Sequence, residues 1–458
     1  MKRLVTAAVL TAGIAATPAA HAHSGTGMEG GGPVAAPAST AETVAARQRF
    51  FGPENVDPRT GAVRRDRVIF SWFGVTNFAM AVRGHVVLLD AWVPRGAHSG
   101  YVPTSPAEIA KLRPEAILIG HAHFDHAADA VPLAEASGAT LVGTAEHCQD
   151  FRARATGIGL RCVDAIAAGA PAGTLARPKL IRGVELTVLE HLHSATTPPD
   201  DQGYHVPVTP LPSTTSAEHP PTPEDMQHVV GHLPDAEGGT LLWRFRVGDL
   251  SIVWHDSAGP LSEQAPEVLE AVAGLGPVDI QLGAIQTFNQ ITTDGLRDPR
   301  QYIEALRPKL FVPMHHDDWA AGITTKGERY EDPFMQELAR MEPDRRPQVR
   351  FIYDPADYVR PAVLTFPVKF EPLRLSRRCG RRGRLRVRLR GDTADVRGAR
   401  FRLGRRVRRD RSAPFRVRFG PRAVAAARRM GRRPRLRVRV THAEGSVRLR
   451  RTLPRCTS

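Results

Sequence analysis

Gly120-His121-Ala122-His123-Phe124-Asp125-His126 sets four side chains able to bind a metal within six residues. An apolar run, Ala116-Ile117-Leu118-Ile119, precedes it and reads as a buried strand. Ala127 to Ala134 follows and reads as the start of a helix. The histidines therefore occupy a loop at the C-terminal end of a strand, where open α/β architectures place their sites. Neutral imidazole and carboxylate are ligands of zinc and similar divalent ions. Such a loop can turn His121 and His123 toward one ion, and Asp125 and His126 toward a second.

The pattern His-x-His-x-Asp-His resembles that of the metallo-β-lactamase superfamily of hydrolases. The resemblance covers about residues 65–368. It implies an α/β, four-layer αββα fold, with two sheets sandwiched between helices and the site at one edge. It also demands three further ligands, each at a strand end. The strands 68–73, 77–82 and 85–90 match the family's opening meander, which leads to Asp90. The resemblance gives Asp90 the role of supporting the metal loop without ligating. The strand 183–189 runs into Glu190-His191-Leu192-His193. By comparison with family chains His191 is the third ligand, with His193 as the alternative, since both point to one side of an extended chain. The strand 250–254 runs into His255-Asp256, and Asp256 takes the place of the bridging carboxylate. The strand 310–314 ends in His315, where family chains show a Pro-x-His. His316 reads as a wall of the pocket.

The implied cofactors are two divalent ions, zinc foremost. His121, His123 and His191 would hold the first, and Asp125, His126 and His315 the second, with Asp256 bridging. The implied chemistry is a metal-bound hydroxide attacking an ester, lactone or phosphodiester, with Asp125 and Asp256 as catalytic carboxylates. No cysteine falls at a ligand position, which departs from metallo-β-lactamases that use one. The set instead resembles the branch of lactonases, phosphodiesterases and phospholipase-D-like enzymes, whose substrates are small or lipid-like. Two alternatives stay open: a mononuclear iron oxygenase acting on sulfur substrates, and a polyanion or cell-wall binding protein with a metal-stabilised body.

Charge divides the 458-residue chain, which is long enough for two or three domains. The net charge is +16, yet residues 371–458 alone hold 31 Arg, no Lys and 5 acidic residues, a net of +26. The remainder is mildly acidic. Within this tail, Arg384 to Arg390, Arg400 to Leu403, Phe415 to Phe419 and Arg435 to Val440 alternate Arg with apolar residues. Period two with one apolar face predicts half-buried strands. The tail, 369–458, thus reads as an Arg-rich, immunoglobulin-like β-sandwich. Its functional reading is adhesion to an anionic cell-wall polymer, acidic glycan or nucleic acid. Its bland reading is a habit of placing Arg on any solvated face. No motif supports sequence-specific nucleic-acid recognition, and aromatic residues are few.

Lys2 and Arg3, the apolar stretch Leu4 to Ala16, and Ala20-His21-Ala22 together read as a signal peptide over residues 1–22. The expectation is a secreted or cell-surface protein with no transmembrane segment in the mature chain. Four cysteines agree with export, and their order suggests the disulfides Cys148–Cys162 and Cys379–Cys456. The first would contribute about 3 kcal/mol on the chain-entropy model. Residues 23–64 read as a flexible linker with a helix near Ala41 to Phe51. The Pro-rich stretch 198–236, with His205, His219, His228 and His232, reads as a surface loop with solvated imidazoles or as a lid.

Overall fold

The computed structural model describes residues 40–94, 101–157, 159–208, 218–288, 294–317, 326–430, 434–442 and 445–454. Two seven-stranded sheets form the body. The first joins β1 (Arg67–Trp72), β2 (Phe78–Val82), β3 (His85–Leu89), β4 (Ala116–Leu118), β5 (Thr140–Thr144), β6 (Cys162–Ile166) and β14 (Thr365–Pro367). Their spatial order is β14-β1-β2-β3-β4-β5-β6. The second joins β7 (Leu175–Ala176), β8 (Glu185–His191), β9 (Thr240–Val247), β10 (Leu250–His255), β11 (Ile280–Ala284), β12 (Leu310–Met314) and β13 (Gln348–Val349). Here the order runs β13-β12-β11-β10-β9-β8-β7.

Each sheet starts antiparallel through hairpins and turns parallel where helices provide the crossovers. Strands such as β2 are buried at every residue because both faces are covered. The inner faces share one core that includes Phe70, Phe78, Met80, Trp243, Phe245 and Trp254. Two indoles tie the sheets together: Trp243 Nε1 donates to Ile119 O at 2.9 Å, and Trp254 Nε1 to Thr76 O at 3.1 Å. Buried indoles need such acceptors, so these contacts fix how the sheets face each other. Helices Pro106–Ala110, Ala130–Ser137 and Ala145–Arg154 flank the first sheet. Helices Pro266–Leu275 and Arg297–Leu306 flank the second, packing on Leu189, Leu242 and Val253. This is the four-layer αββα arrangement.

One expectation fails in the first part of the chain. Residues 40–64 are not a flexible linker. The helix Ala41–Phe51 buries Phe50 and Phe51, which join Val56 and Val63 in the main core. Arg47 is buried with them and donates to Leu112 O and Gly61 O. Alanine and polar residues around two adjacent phenylalanines hid that apolar anchor. Residues 23–39 lie outside the described residues.

The tail folds as two sheets. One has the order β15-β16-β19, from β15 (Arg374–Gly380), β16 (Arg384–Arg390) and β19 (Arg416–Phe419). The other has the order β18-β17-β20-β21, from β17 (Val396–Leu403), β18 (Arg406–Asp410), β20 (Arg435–His442) and β21 (Gly445–Thr452). Leu385, Val387, Phe401, Phe419, Leu436 and Val438 form its own core, separate from that of the body. A helix, Pro421–Arg429, sits between β19 and β20, where the sequence carries no period-two alternation. The sandwich docks through Arg83, which is buried and pairs with Asp392 and Asp395, while Arg65 also pairs with Asp395. Arg83 lies in the turn before β3, and Asp90 follows the other end of that strand. The tail therefore attaches at the end of the sheets away from the histidine loop.

Candidate metal centre

Three strand ends and one loop bring the candidate ligands together. His121, His123, Asp125 and His126 follow β4, with Phe124–Ala127 forming one helical turn. Asp256 follows β10 and His315 follows β12, at the same edge because β10, β11 and β12 run parallel. Three groups have ligand atoms close enough to share an ion: His121, His123 and His193; His121, His126 and Asp256; Asp125, His126 and His315. The groups overlap through His121 and His126, so they form one continuous cluster.

The third histidine is the correction. The structure brings His193, not His191, to His121 and His123, with ring centroids 4.6 and 4.8 Å away. Strand β8 ends at His191, and the chain then leaves the sheet. The alternation expected to aim both imidazoles the same way thus stops between them. His191 points into the second sheet's outer core, where its Nδ1 lies 2.7 Å from the Tyr302 hydroxyl. Burial, with His255 beside it, pushes His191 down to about 3, so the ring is neutral.

Asp256 Oδ2 accepts from the His121 backbone N–H at 2.7 Å and lies 2.7 Å from His121 Nδ1. A Cβ on Gly120 would stand 2.1 Å from that carboxylate, so only glycine lets the two strand ends approach this closely. Asp90 does not reach the cluster centre. Its Oδ1 accepts from Gly120 N at 2.9 Å, and its Oδ2 lies 2.8 Å from His126 Nδ1 and from Thr76 Oγ1. It thereby fixes both the loop and the His126 ring. Asp90 and His315 both adopt left-handed backbone, at φ 55° and 58°. Such strain, about 1–3 kcal/mol each, persists where surrounding contacts over-determine a site.

Electrostatics favour a cation here. Burial pushes His121 well below the usual imidazole range, helped by His126, His193 and His123. Burial and His193 likewise lower His123, leaving neutral lone pairs for a metal. Burial would raise Asp125, but His126 and His315 outweigh it and hold the carboxyl well below its ordinary value. Burial, then the charge of Asp256, pushes Asp90 up to about 7. Asp256 Oδ1 is buried without a hydrogen-bonding partner. A buried carboxylate oxygen left bare costs free energy that a bound cation removes. The donor set of imidazoles and carboxylates, with this bare oxygen among them, fits divalent metal ions.

A family model for the beta-lactamase superfamily domain matches residues 70–315, more than half of the chain. The chain belongs to the metallo-β-lactamase superfamily. A curated relative from Methanopyrus kandleri, named a UPF0173 metal-dependent hydrolase, is 30% identical over 252 residues, covering 54% of this chain and 83% of that protein. A relative of the same name from Pyrobaculum neutrophilum is 47% identical over 75 residues, and the match spans only 32% of its length. Among solved structures, the metallo hydrolase Igni18 of Ignicoccus hospitalis is similar over 66% of this chain and 100% of its own, with 17% identity and a TM-score of 0.41.

Around this superfamily motif stand residues the sequence did not single out. Thr76 holds Asp90 and His126, Gln286 Oε1 lies 3.0 Å from His315 Nδ1, and Tyr302 holds His191. None sits in a motif; each arrives from a distant element through the fold. His316 is not a pocket wall but is buried near Trp72 and Phe351, its Nε2 3.1 Å from Pro313 O. The described residues of the Pro-rich stretch pack more closely than a solvated surface loop would. His205 is buried between Glu337 and Asp200, and His228 stacks on Trp92 at 5.6 Å. Asp200, His205 and Asp294 form a further ligand-like group. The buried guanidinium of Arg297, 3.2 Å from Asp200, already supplies the positive charge there. That group therefore reads as an ionic clamp between this stretch and the helix Arg297–Leu306.

Proposed function

We propose that this chain is a metal-dependent hydrolase that holds two divalent ions, zinc foremost, and cleaves an ester, lactone or phosphodiester. His121, His123 and His193 would hold the first ion, and Asp125, His126 and His315 the second, with Asp256 between them. The observation that carries this reading is the convergence of three overlapping ligand groups, one of which contains Asp256 with its Oδ1 buried and partnerless. The relatives are named metal-dependent hydrolases, which supports the reaction class. Ions bound there would make a water nucleophilic at neutral pH and polarise the scissile group.

The chain's own residues supply the rest. His123 and His193 are half-buried whereas His121 is buried, so the cluster opens on their side. Phe288, 55% exposed, stands with its ring 6.2 Å from His193 and gives that opening an apolar wall. Asp125 Oδ2 lies 3.1 Å from His315 Nε2, placed to orient an attacking water and to pass a proton to the leaving group. Metal analysis of protein purified without added metal, alongside a panel of esters, lactones and phosphodiesters, tests the reading. The expected result is about two zinc ions per chain and hydrolysis that chelation abolishes and zinc restores. A single iron with oxygen consumption and no hydrolysis would replace it with the oxygenase alternative.

We also infer export. The disulfide Cys148–Cys162 ties the helix Ala145–Arg154 to β6, and such bonds persist in oxidising compartments. Cys379 is disulfide-bonded as well; Cys456, its expected partner, lies outside the described residues. Among the described residues no helix is long and apolar enough to cross a membrane. N-terminal sequencing of protein from the culture medium should find a chain beginning at or near His23. An intact Met1 on cytoplasmic protein would overturn export.

A further inference from the structure

The tail carries its arginines as ladders. In the three-stranded sheet, Arg386 lies opposite Arg378 on one side and Arg418 on the other, and Arg388 lies opposite Arg416. Alternation places these residues, with Arg390, on the face away from core residues Leu385, Val387 and Val417. The four-stranded sheet repeats the device in the row Arg402–Arg437–Arg450. Like charges directly opposite one another destabilise a sheet. Elsewhere buried arginines such as Arg83, Arg297 and Arg300 are paired with carboxylates. On this face the six side chains have no hydrogen-bond or ion-pair partner among the described residues. The tail's described acids do not reach these six side chains, although the Arg374–Glu371 pair stands at the edge of the same face, opposite Arg390. Glu371 pairs with Arg374, Asp392 and Asp395 with Arg83, and Asp410 accepts from the Ser412 and Arg416 backbone.

We propose that the arginine face of the three-stranded sheet binds a flexible, linear phosphodiester polymer of polyol units. The guanidinium fork matches phosphate oxygens in pairs, and a grid spaced about 4.8 Å across strands and about 6.7 Å along them offers successive phosphates a continuous track. Bases find no aromatic ring to stack on, because Phe401, Phe415 and Phe419 are all buried in the sandwich core. A lipid surface finds nothing to take up, because the described apolar side chains of these three strands face inward. The sandwich docks away from the histidine cluster, so this face is assigned an anchoring role distinct from the candidate metal centre. This inference stands whether or not the hydrolase reading does.

The test measures binding of the full chain to fluorescent poly(glycerol phosphate) as salt is varied. Replacing Arg386, Arg388, Arg416 and Arg418 together by Gln should weaken binding tenfold or more. It should also lower the slope of log affinity against log salt by about 3, at roughly 0.7 per lost phosphate contact. The melting temperature should hold or rise, since repulsion has been removed. A control variant, with Arg405, Arg411, Arg422 and Arg429 replaced by Gln, removes equal charge from exposed positions off the face. It should keep most of the affinity. Equal losses in the two variants would overturn the ladder in favour of diffuse charge. So would absence of binding, or binding to duplex DNA or anionic lipid vesicles as tight at equal phosphate concentration.

Discussion

Asp256→Ala should lose metal and turnover together, while the metal-free protein remains folded. The carboxylate is buried, its Oδ2 engages His121, and its Oδ1 has no partner in the protein. Removing one member of a buried charged assembly costs about 3–5 kcal/mol, or roughly two to three and a half orders of magnitude in affinity. In the metal-free protein the balance differs. Asp90 is already pushed up to about 7 by burial and by the charge of Asp256, so removing that charge relieves repulsion. Against this, His121 N–H loses its acceptor. Asp256→Asn separates the two effects, because its amide oxygen can still accept from that N–H. Metal-free Asp256→Asn should therefore melt near the parent temperature, because the relief at Asp90 is offset by the lost attraction between the Asp256 charge and the His126 ring. Both variants should show little of the zinc-induced stabilisation that the parent gains by mass action. Metal content by elemental analysis, melting with and without zinc, and turnover on a responsive ester or phosphodiester make the measurement. Unchanged metal content and turnover in Asp256→Ala would remove Asp256 from the centre.

The parts of the fold that were legible in the chain share a physical cause. Val68 to Phe73, Thr240 to Phe245 and Leu310 to Met314 are apolar over a strand's length and end in polar punctuation, so strand and strand end are both local signals. The histidine loop was legible because four ligand side chains in six residues have no structural use as a set. The tail's period-two pattern survives because half of each strand is buried. What was missed depends on distance along the chain. The edge strand β14 pairs with β1 some 300 residues earlier, and Thr365-Phe366-Pro367 carries no strand pattern of its own. Thr76, Gln286 and Tyr302 matter only because folding brings them to His126, His315 and His191. His205 looked solvated because its partner Glu337 lies 132 residues away on another element.

The choice between His191 and His193 separates most sharply by substitution. His193→Ala should lose the ion shared with His121 and His123, lowering zinc content by about one per chain and turnover by about a hundredfold or more. Its folding should change little, since the ring is only half-buried at the opening. His191→Ala should do the reverse. That side chain is buried, 3% exposed, and its loss opens a cavity beside Tyr302 and His255. It also removes the 2.7 Å contact to the Tyr302 hydroxyl, which retains only the longer hydrogen bond from Gly259 N–H at 3.3 Å. A buried hydroxyl stripped of its better partner costs about 1–3 kcal/mol before the cavity is counted. The melting temperature should therefore fall by several degrees while both ions remain. Sequence alone could not separate the two, because the difference lies in where β8 ends. Had the strand run two residues further, both rings would have faced the same way, as alternation requires. Measured zinc content in the two variants decides the point: loss of an ion from His191→Ala with full content in His193→Ala would restore His191 as the ligand.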